Sequence, residues 1–124
     1  MTLAEPLAPD AAGKILAAHQ VEGTTIHNSY GVCIWAAGPD IDLLGGPARF
    51  LGDQGHSLFH PEDQEIALRH HERLLAQGAG RIRQRIRDAD GAFRWCVITS
   101  RIVQVEGQKL IVGHVRLDER LDEA

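Results

Sequence analysis

The 124-residue chain is long enough to bury one core and too short to hold a second, catalytic unit beside it. With 44% apolar and 24% charged residues it has an ordinary globular balance, and a net charge of -4 argues against general electrostatic binding to nucleic acid. No apolar run nears the roughly 18 residues of a membrane span, the start MTLAEPLAPDAAGK has no secretory pattern, and Cys33 and Cys96 are too few for a disulfide framework, so a cytoplasmic protein is expected.

In chain order, residues 1–9 form a loose lead-in with two prolines. Asp10 can cap a short helix that puts Ile15, Leu16 and His19 on one side and ends at Gly23. Tyr30–Ala37 (YGVCIWAA) reads as a buried strand, and a Gly-Pro-Asp turn leads to a second short strand at Ile41–Leu44. Gly45-Gly46-Pro47 breaks the chain, and one or two helical turns fit Ala48–Phe59. A longer helix then opens at Pro61, with Glu62 and Asp63 at the positive end of its dipole. Ile66, Ala67, Leu74 and Leu75 form its apolar stripe, and Gly78 and Gly80 stop it.

Arg81–Arg87 alternates arginine with Ile82, Gln84 and Ile86, the period of a strand. Asp90-Gly91 turns it into a long strand at Phe93–Val105, and Glu106-Gly107 turns that into the last strand, Gln108–Leu117. Strands joined by such short loops form an antiparallel meander, and helices grouped between two sets of strands make the fold class α+β.

His60-Pro61-Glu62-Asp63 resembles the HPxD element of PAS domains, a family of signalling sensor domains. The run from Arg83 or Arg85 to Gly91-Ala92-Phe93-Arg94-Trp95 resembles that family's arginine-to-DGxxRW hairpin, and Leu110–Arg116 (LIVGHVR) its last strand. These pieces stand in the family's order and cover roughly residues 27–118, leaving 1–26 as lead-in and helix and 119–124 as a tail or linker start. The resemblance implies a five-stranded antiparallel sheet with helices packed on one face, enclosing a pocket. The short stretch between the second strand and the long helix implies that this pocket is small or filled. The family's closing Asp-Ile-Thr is replaced here by Leu117-Asp118-Glu119.

The resemblance implies a non-catalytic sensory or regulatory role: binding a small ligand, or mediating homodimerisation and protein contact. The output unit would be a histidine kinase, a diguanylate cyclase or another signalling domain. Expected pocket residues are His71, Leu68, Leu75, Trp95 and Ile82, with Ile15 and Leu16 at the dimer contact. On the helix the neighbours of His71 are Ala67, Leu68, Leu74 and Leu75, which points its ring inward and leaves His70 at the stripe's edge. An inward imidazole could ligate haem iron, making a gas or redox sensor with His71 as ligand, although oxygen-sensing relatives carry that histidine nearer Leu68. A core histidine bonded to backbone or water is the commoner meaning. A docking module with a filled pocket is the other alternative.

Flavin photochemistry is not expected: Gly45–Leu51 faintly echoes a flavin-binding helix, but Ala48 stands at its reactive cysteine, and Cys96 and Val115 stand where amides would grip the ring. No metal site is expected either, since His56 and His60 straddle a helix start and His71-Glu72 lacks the HExxH partner. Nor is there a nucleophile elbow or a phosphate loop.

Arg81, Arg83, Arg85 and Arg87 share one strand face, which reads as a solvated surface or as a partner for the acidic tail LDERLDEA, within one subunit or across a dimer. If the family's strand order holds, two inter-strand steps separate the cysteines by about 9–10 Å, beyond the roughly 7 Å limit for a disulfide. Both then serve as small buried hydrophobes, and Trp35 and Trp95 as packing anchors, Trp95 sharing a face with Phe93 and Val97.

Overall fold

The computed structural model describes residues 23–52 and 58–118. The elements are β1 (Thr24–His27), β2 (Cys33–Ala37), α1 (Pro39–Leu43), a 3-10 turn at Pro47–Arg49, a second at Pro61–Asp63, α2 (Gln64–Gln77), β3 (Ala79–Arg87), β4 (Phe93–Val105) and β5 (Gln108–Leu117). The strands form one antiparallel sheet in the order β2-β1-β5-β4-β3. This is the expected α+β architecture, five strands with helices between the second and third.

The C-terminal meander falls where the turn chemistry put it. Asp88 Oδ1 accepts from the backbone N–H of Asp90 (2.9 Å) and of Ala92 (3.0 Å), while Gly91 takes the positive φ the turn requires. β4 and β5 then pair in unbroken register from Cys96↔Leu117 to Val105↔Gln108.

The first half departs from the sequence reading in three places. Thr24–His27 is a strand, β1, pairing with both β2 and β5, so the sheet opens ahead of residue 27, the limit drawn from the family motifs. Two threonines and an isoleucine suit a strand, but four residues give too short a pattern to stand out. The strand read over Tyr30–Ala37 begins only at Cys33, because Asn28 Oδ1 accepts from Tyr30 N–H and Val32 N–H and bends the chain into a turn. Ile41–Leu44 is not a strand: Pro39–Leu43 is helical, with proline at its first position, and Ile41 and Leu44, three apart, are both fully buried. Within Ala48–Phe59 the described helical turn is the short one at Pro47–Arg49. The expected helix bearing Ile15, Leu16 and His19, the tail 119–124 and His56 lie outside the described residues.

β1 also changes the cysteine geometry. Cys33 on β2 and Cys96 on β4 are three inter-strand steps apart rather than two, about 14 Å at sheet spacing. Both are buried in the core between sheet and helices, with Ile41, Leu44, Phe50 and Leu58. A second cluster on the opposite sheet face joins Ile26, Ile34, Leu110 and Val112, with Trp35 packed against it.

β3 is an edge strand, and the segment leading into α2 covers its open side. Arg87 N–H donates to Leu58 O (2.8 Å), and His60 N–H donates to Arg85 O (3.3 Å). Asp63 completes the seam. Its Oδ2 accepts from Arg85 N–H (2.8 Å) and Arg85 Nε (3.1 Å), and its Oδ1 accepts from Arg85 Nη2 (2.7 Å). His60 caps the turn through Nδ1, which accepts from Glu62 N–H, and its ring meets Phe93 edge-on at 4.6 Å.

Hydrogen bonds from Arg85 hold the Asp63 carboxyl below its ordinary range against the opposing effect of burial. Because the folded value is depressed, the stabilisation is present in full above the unfolded aspartate pKa of about 3.9 and is lost as pH falls through the folded value. Asp63→Ala should therefore cost about 3 kcal/mol in urea unfolding at neutral pH, by removing the bonds to Asp63 and leaving the half-buried Arg85 with the exposed Glu62 as its one carboxylate. The gap between wild type and variant should narrow below about pH 4.

Gly113 on β5 gives a second check. A Cβ there would lie 2.8 Å from Thr25 Oγ1, so Gly113→Ala should destabilise by about 2 kcal/mol in the same assay.

Candidate functional site

A cavity of about 270 Å3 lies between α2 and the inner sheet face. All three C-terminal strands and β1 supply its floor, and Ala67, Leu68, His70, His71 and Leu74 of α2 its roof. Most of the lining is apolar: Phe50 and Leu58 close one end, and Ile82, Ile86, Ile98 and Val115 pave the sheet. The lining also reaches exposed residues, among them Tyr30, Leu68 and His71, so the cavity opens to the surface beside the β1–β2 turn.

The phase of α2 decides which histidine faces inward. Leu74 is the one α2 residue fully buried, and Ala67 and His70 are half-buried with it, a stripe at i, i+3 and i+7. Ile66 and Leu75, expected in that stripe, are exposed. The helix is thus rotated from the sequence reading, because it meets the sheet along one narrow line rather than a broad face. His70 consequently points in and His71 sits exposed at the mouth, the reverse of the helical-phase expectation.

The ring of His70 lies over Gly80, where a Cβ would come within 3.1 Å of Nδ1. That Nδ1 is buried with no hydrogen-bond partner, and burial, aided by Arg73 and His71, pushes the imidazole towards its neutral form.

Of the remaining expected pocket residues, Ile82 is buried in the floor and Leu68 lies at the rim. Leu75 and Trp95 are not in the lining. Trp95 stands directly across from Arg85, on the face opposite Gln84, Ile82 and Ile98. There it packs beneath arginines: the Arg83 guanidinium is 3.9 Å and that of Arg85 4.8 Å from its ring centre. Arg83 also pairs with the buried Asp118 at 3.6 Å, and Arg85 with Asp63 and Glu62. Half of the arginine row is therefore tied down by carboxylates and an indole, including one at the start of the acidic tail.

Sequence reasoning missed the polar groups of the cavity. Thr25, Gln84 and Ser100 are all buried in its lining. Gln84 was the legible one, as the lone polar residue between Ile82 and Ile86 on an otherwise apolar strand face. Its Nε2 is buried without a hydrogen-bond partner.

A volume of about 270 Å3 lies at the small end of ligand pockets, which run from roughly 300 to 1,000 Å3. His71, the expected haem ligand, is exposed at the rim of this cavity, and His70 is the histidine that faces its interior. Among the described residues, no cluster of three or more His, Cys, Asp or Glu side chains comes together as a metal site, and no helix is long and apolar enough to cross a membrane.

Comparison with known proteins places this geometry in a family. No curated protein matches the sequence. Among solved structures, the chain resembles the PAS domain of a protein from Colwellia psychrerythraea at 18% identity, covering 88% of this chain and 97% of that one with a TM-score of 0.71. It also resembles a PAS domain from a two-component sensor histidine kinase, at 12% identity, 86% and 94% coverage and a TM-score of 0.67. A third is the N-terminal domain of a diguanylate cyclase with a PAS/PAC sensor from Marinobacter aquaeolei, at 20% identity, 82% and 98% coverage and a TM-score of 0.64. At these identities the likeness speaks for the fold. Residues 43–115, more than half of the chain, match the sequence profile of the PAS fold, and the chain is therefore a member of the PAS family.

Proposed function

We propose that this PAS domain is a non-catalytic sensor that takes a small molecule into the cavity between α2 and the sheet. The observation that carries the reading is the cavity itself: an apolar space in which buried polar atoms, Gln84 Nε2 and His70 Nδ1, lack protein partners. Such atoms are satisfied by water or by a ligand, and the apolar space around them suits a ligand that brings one polar group to them.

The sensor would act on a signalling output unit, for which the histidine kinase and diguanylate cyclase that carry similar domains supply the pattern. A ligand roofed by α2 would bear on Asp63, at the helix start, and through Arg85 on the outer sheet face. Homodimerisation through the segment bearing Ile15 and Leu16 belongs to the same reading, on the strength of their apolar pattern. Sedimentation should then show a dimer that Leu16→Asp converts to monomer; monomer alone at high micromolar concentration would count against the dimer.

Ala67 is half-buried on α2 and lines the cavity, so Ala67→Phe should fill it without disturbing the sheet. Native mass spectrometry of protein purified without denaturation should find a bound small molecule on wild type and none on Ala67→Phe. A molecule held equally by both would place it elsewhere, and none on either, with unchanged thermal stability in metabolite extracts, would favour a docking role instead.

A further inference from the structure

We propose that the cavity selects a small neutral molecule with an apolar body and one carbonyl or carboxamide group, which Gln84 reads. This rests on the cavity being the ligand site proposed above, and it goes further by naming what the site accepts and what it rejects.

Among the described residues the lining contains no lysine, arginine, aspartate or glutamate; its titratable groups are Tyr30 and the histidines His27, His70 and His71. The arginines of β3 all project to the other face, where Arg83 and Arg85 are engaged with Trp95, Asp63 and Asp118. Among the described residues, an anion drawn into this space would lose its water and meet no lysine or arginine, and a cation would meet no carboxylate. His70 does not alter this, since its burial favours the neutral ring.

The polar group that the cavity offers is an uncharged amide. Gln84 is 1% exposed, lies between Ile82 and Ile86 on the inner face of β3, and faces Cys96 across the strand pair. Its Nε2 donor has no protein acceptor, so a ligand oxygen placed there would satisfy a group that the fold has already removed from water. A carboxamide answers either end of the side chain, because it both donates and accepts.

The other buried side-chain polar groups of the lining are hydroxyls, those of Thr25 and Ser100. Thr25, Gly113, Ser100 and Gly80 stand in one row across β1, β5, β4 and β3. A Cβ at Gly113 would lie 2.8 Å from Thr25 Oγ1 and 3.6 Å from Ser100 Oγ, and one at Gly80 would press on the His70 ring. Glycine at both places keeps open a band bordered by two hydroxyls and a neutral imidazole. Such groups solvate a dipole and cannot neutralise an ion.

The volume, at the small end of ligand pockets, suits a single substituted ring.

Benzamide, benzoate and ethylbenzene share one ring and differ in this chemistry, so calorimetric titration of the full chain with each is the test. Benzamide should bind wild type about tenfold more tightly than either of the others, the factor expected for one satisfied buried hydrogen bond. Gln84→Leu should lower benzamide affinity to the level of ethylbenzene while leaving ethylbenzene bound; circular dichroism checks its fold, and Gln84→Met serves if leucine is not tolerated.

Benzoate binding as tightly as benzamide, or benzamide binding unchanged in a folded Gln84 variant, would overturn the ligand class and leave the cavity standing as a binding site. Failure of all three probes at millimolar concentration, with wild type and Ala67→Phe alike, would remove the site and this inference together.

Discussion

The hydrogen-bonded clasp between Asp63 and Arg85 fixes the one wall of the cavity that the sheet does not supply. β3 is an open edge, and an open edge neither holds a helix in place nor resists pairing with another chain. One carboxylate resolves both problems. It takes the backbone N–H that the edge would leave bare and both faces of the guanidinium fork, so the first turn of α2 is pinned to the middle of β3. From there the helix runs back across the sheet to Gly78, and everything between its inner stripe and the strands becomes cavity.

The same clasp sorts charge. With Arg85 drawn outward onto Trp95 and Asp63, and Arg83 held by Asp118, the cations of β3 are committed to one face while isoleucine and Gln84 line the other. Strand alternation alone would separate the faces; the carboxylates and the indole keep the long side chains from folding back. A neutral cavity and a cationic outer surface are thus two consequences of one strand. Asp118 adds a connection at the point where the chain leaves the sheet: it is buried, bonds through its N–H to Trp95 O and pairs with Arg83. Helix start, arginine pair, indole and chain exit form one contiguous contact path over the outer face.

Legibility in the sequence followed the range of the forces involved. The meander of β3, β4 and β5 was readable because period-two alternation and Asp-Gly or Glu-Gly turns are local chemistry, complete within a few residues. Asp63 was readable only as a helix-start residue; its bonds to Arg85 span more than twenty positions and leave no local trace. β1 was missed because a four-residue strand takes its identity from β5, far along the chain. Ile41–Leu44 was misread because so short an apolar run fits a strand or a turn of helix, and the core decided.

The histidines show the same limit at finer grain. Counting apolar neighbours turned His71 inward, yet Leu68 and Leu75 are themselves exposed, and Gly80 makes room for His70 instead. Helical phase read from one sequence assumes that apolar residues face the core, and on a helix touching the sheet along a single line that assumption is off by about one position. Gln84, by contrast, could have been found: a polar residue alone in an apolar row is the pattern of a group placed for something other than packing.

The proposed sensing depends on an accessible apolar cavity between α2 and the sheet, and xenon reports on such a space without regard to ligand chemistry. In a crystal of this protein pressurised with xenon, density should appear against Ile82, Ile98 and Leu74, beneath His70. Absence of xenon there, with α2 collapsed onto the isoleucines, would contradict it.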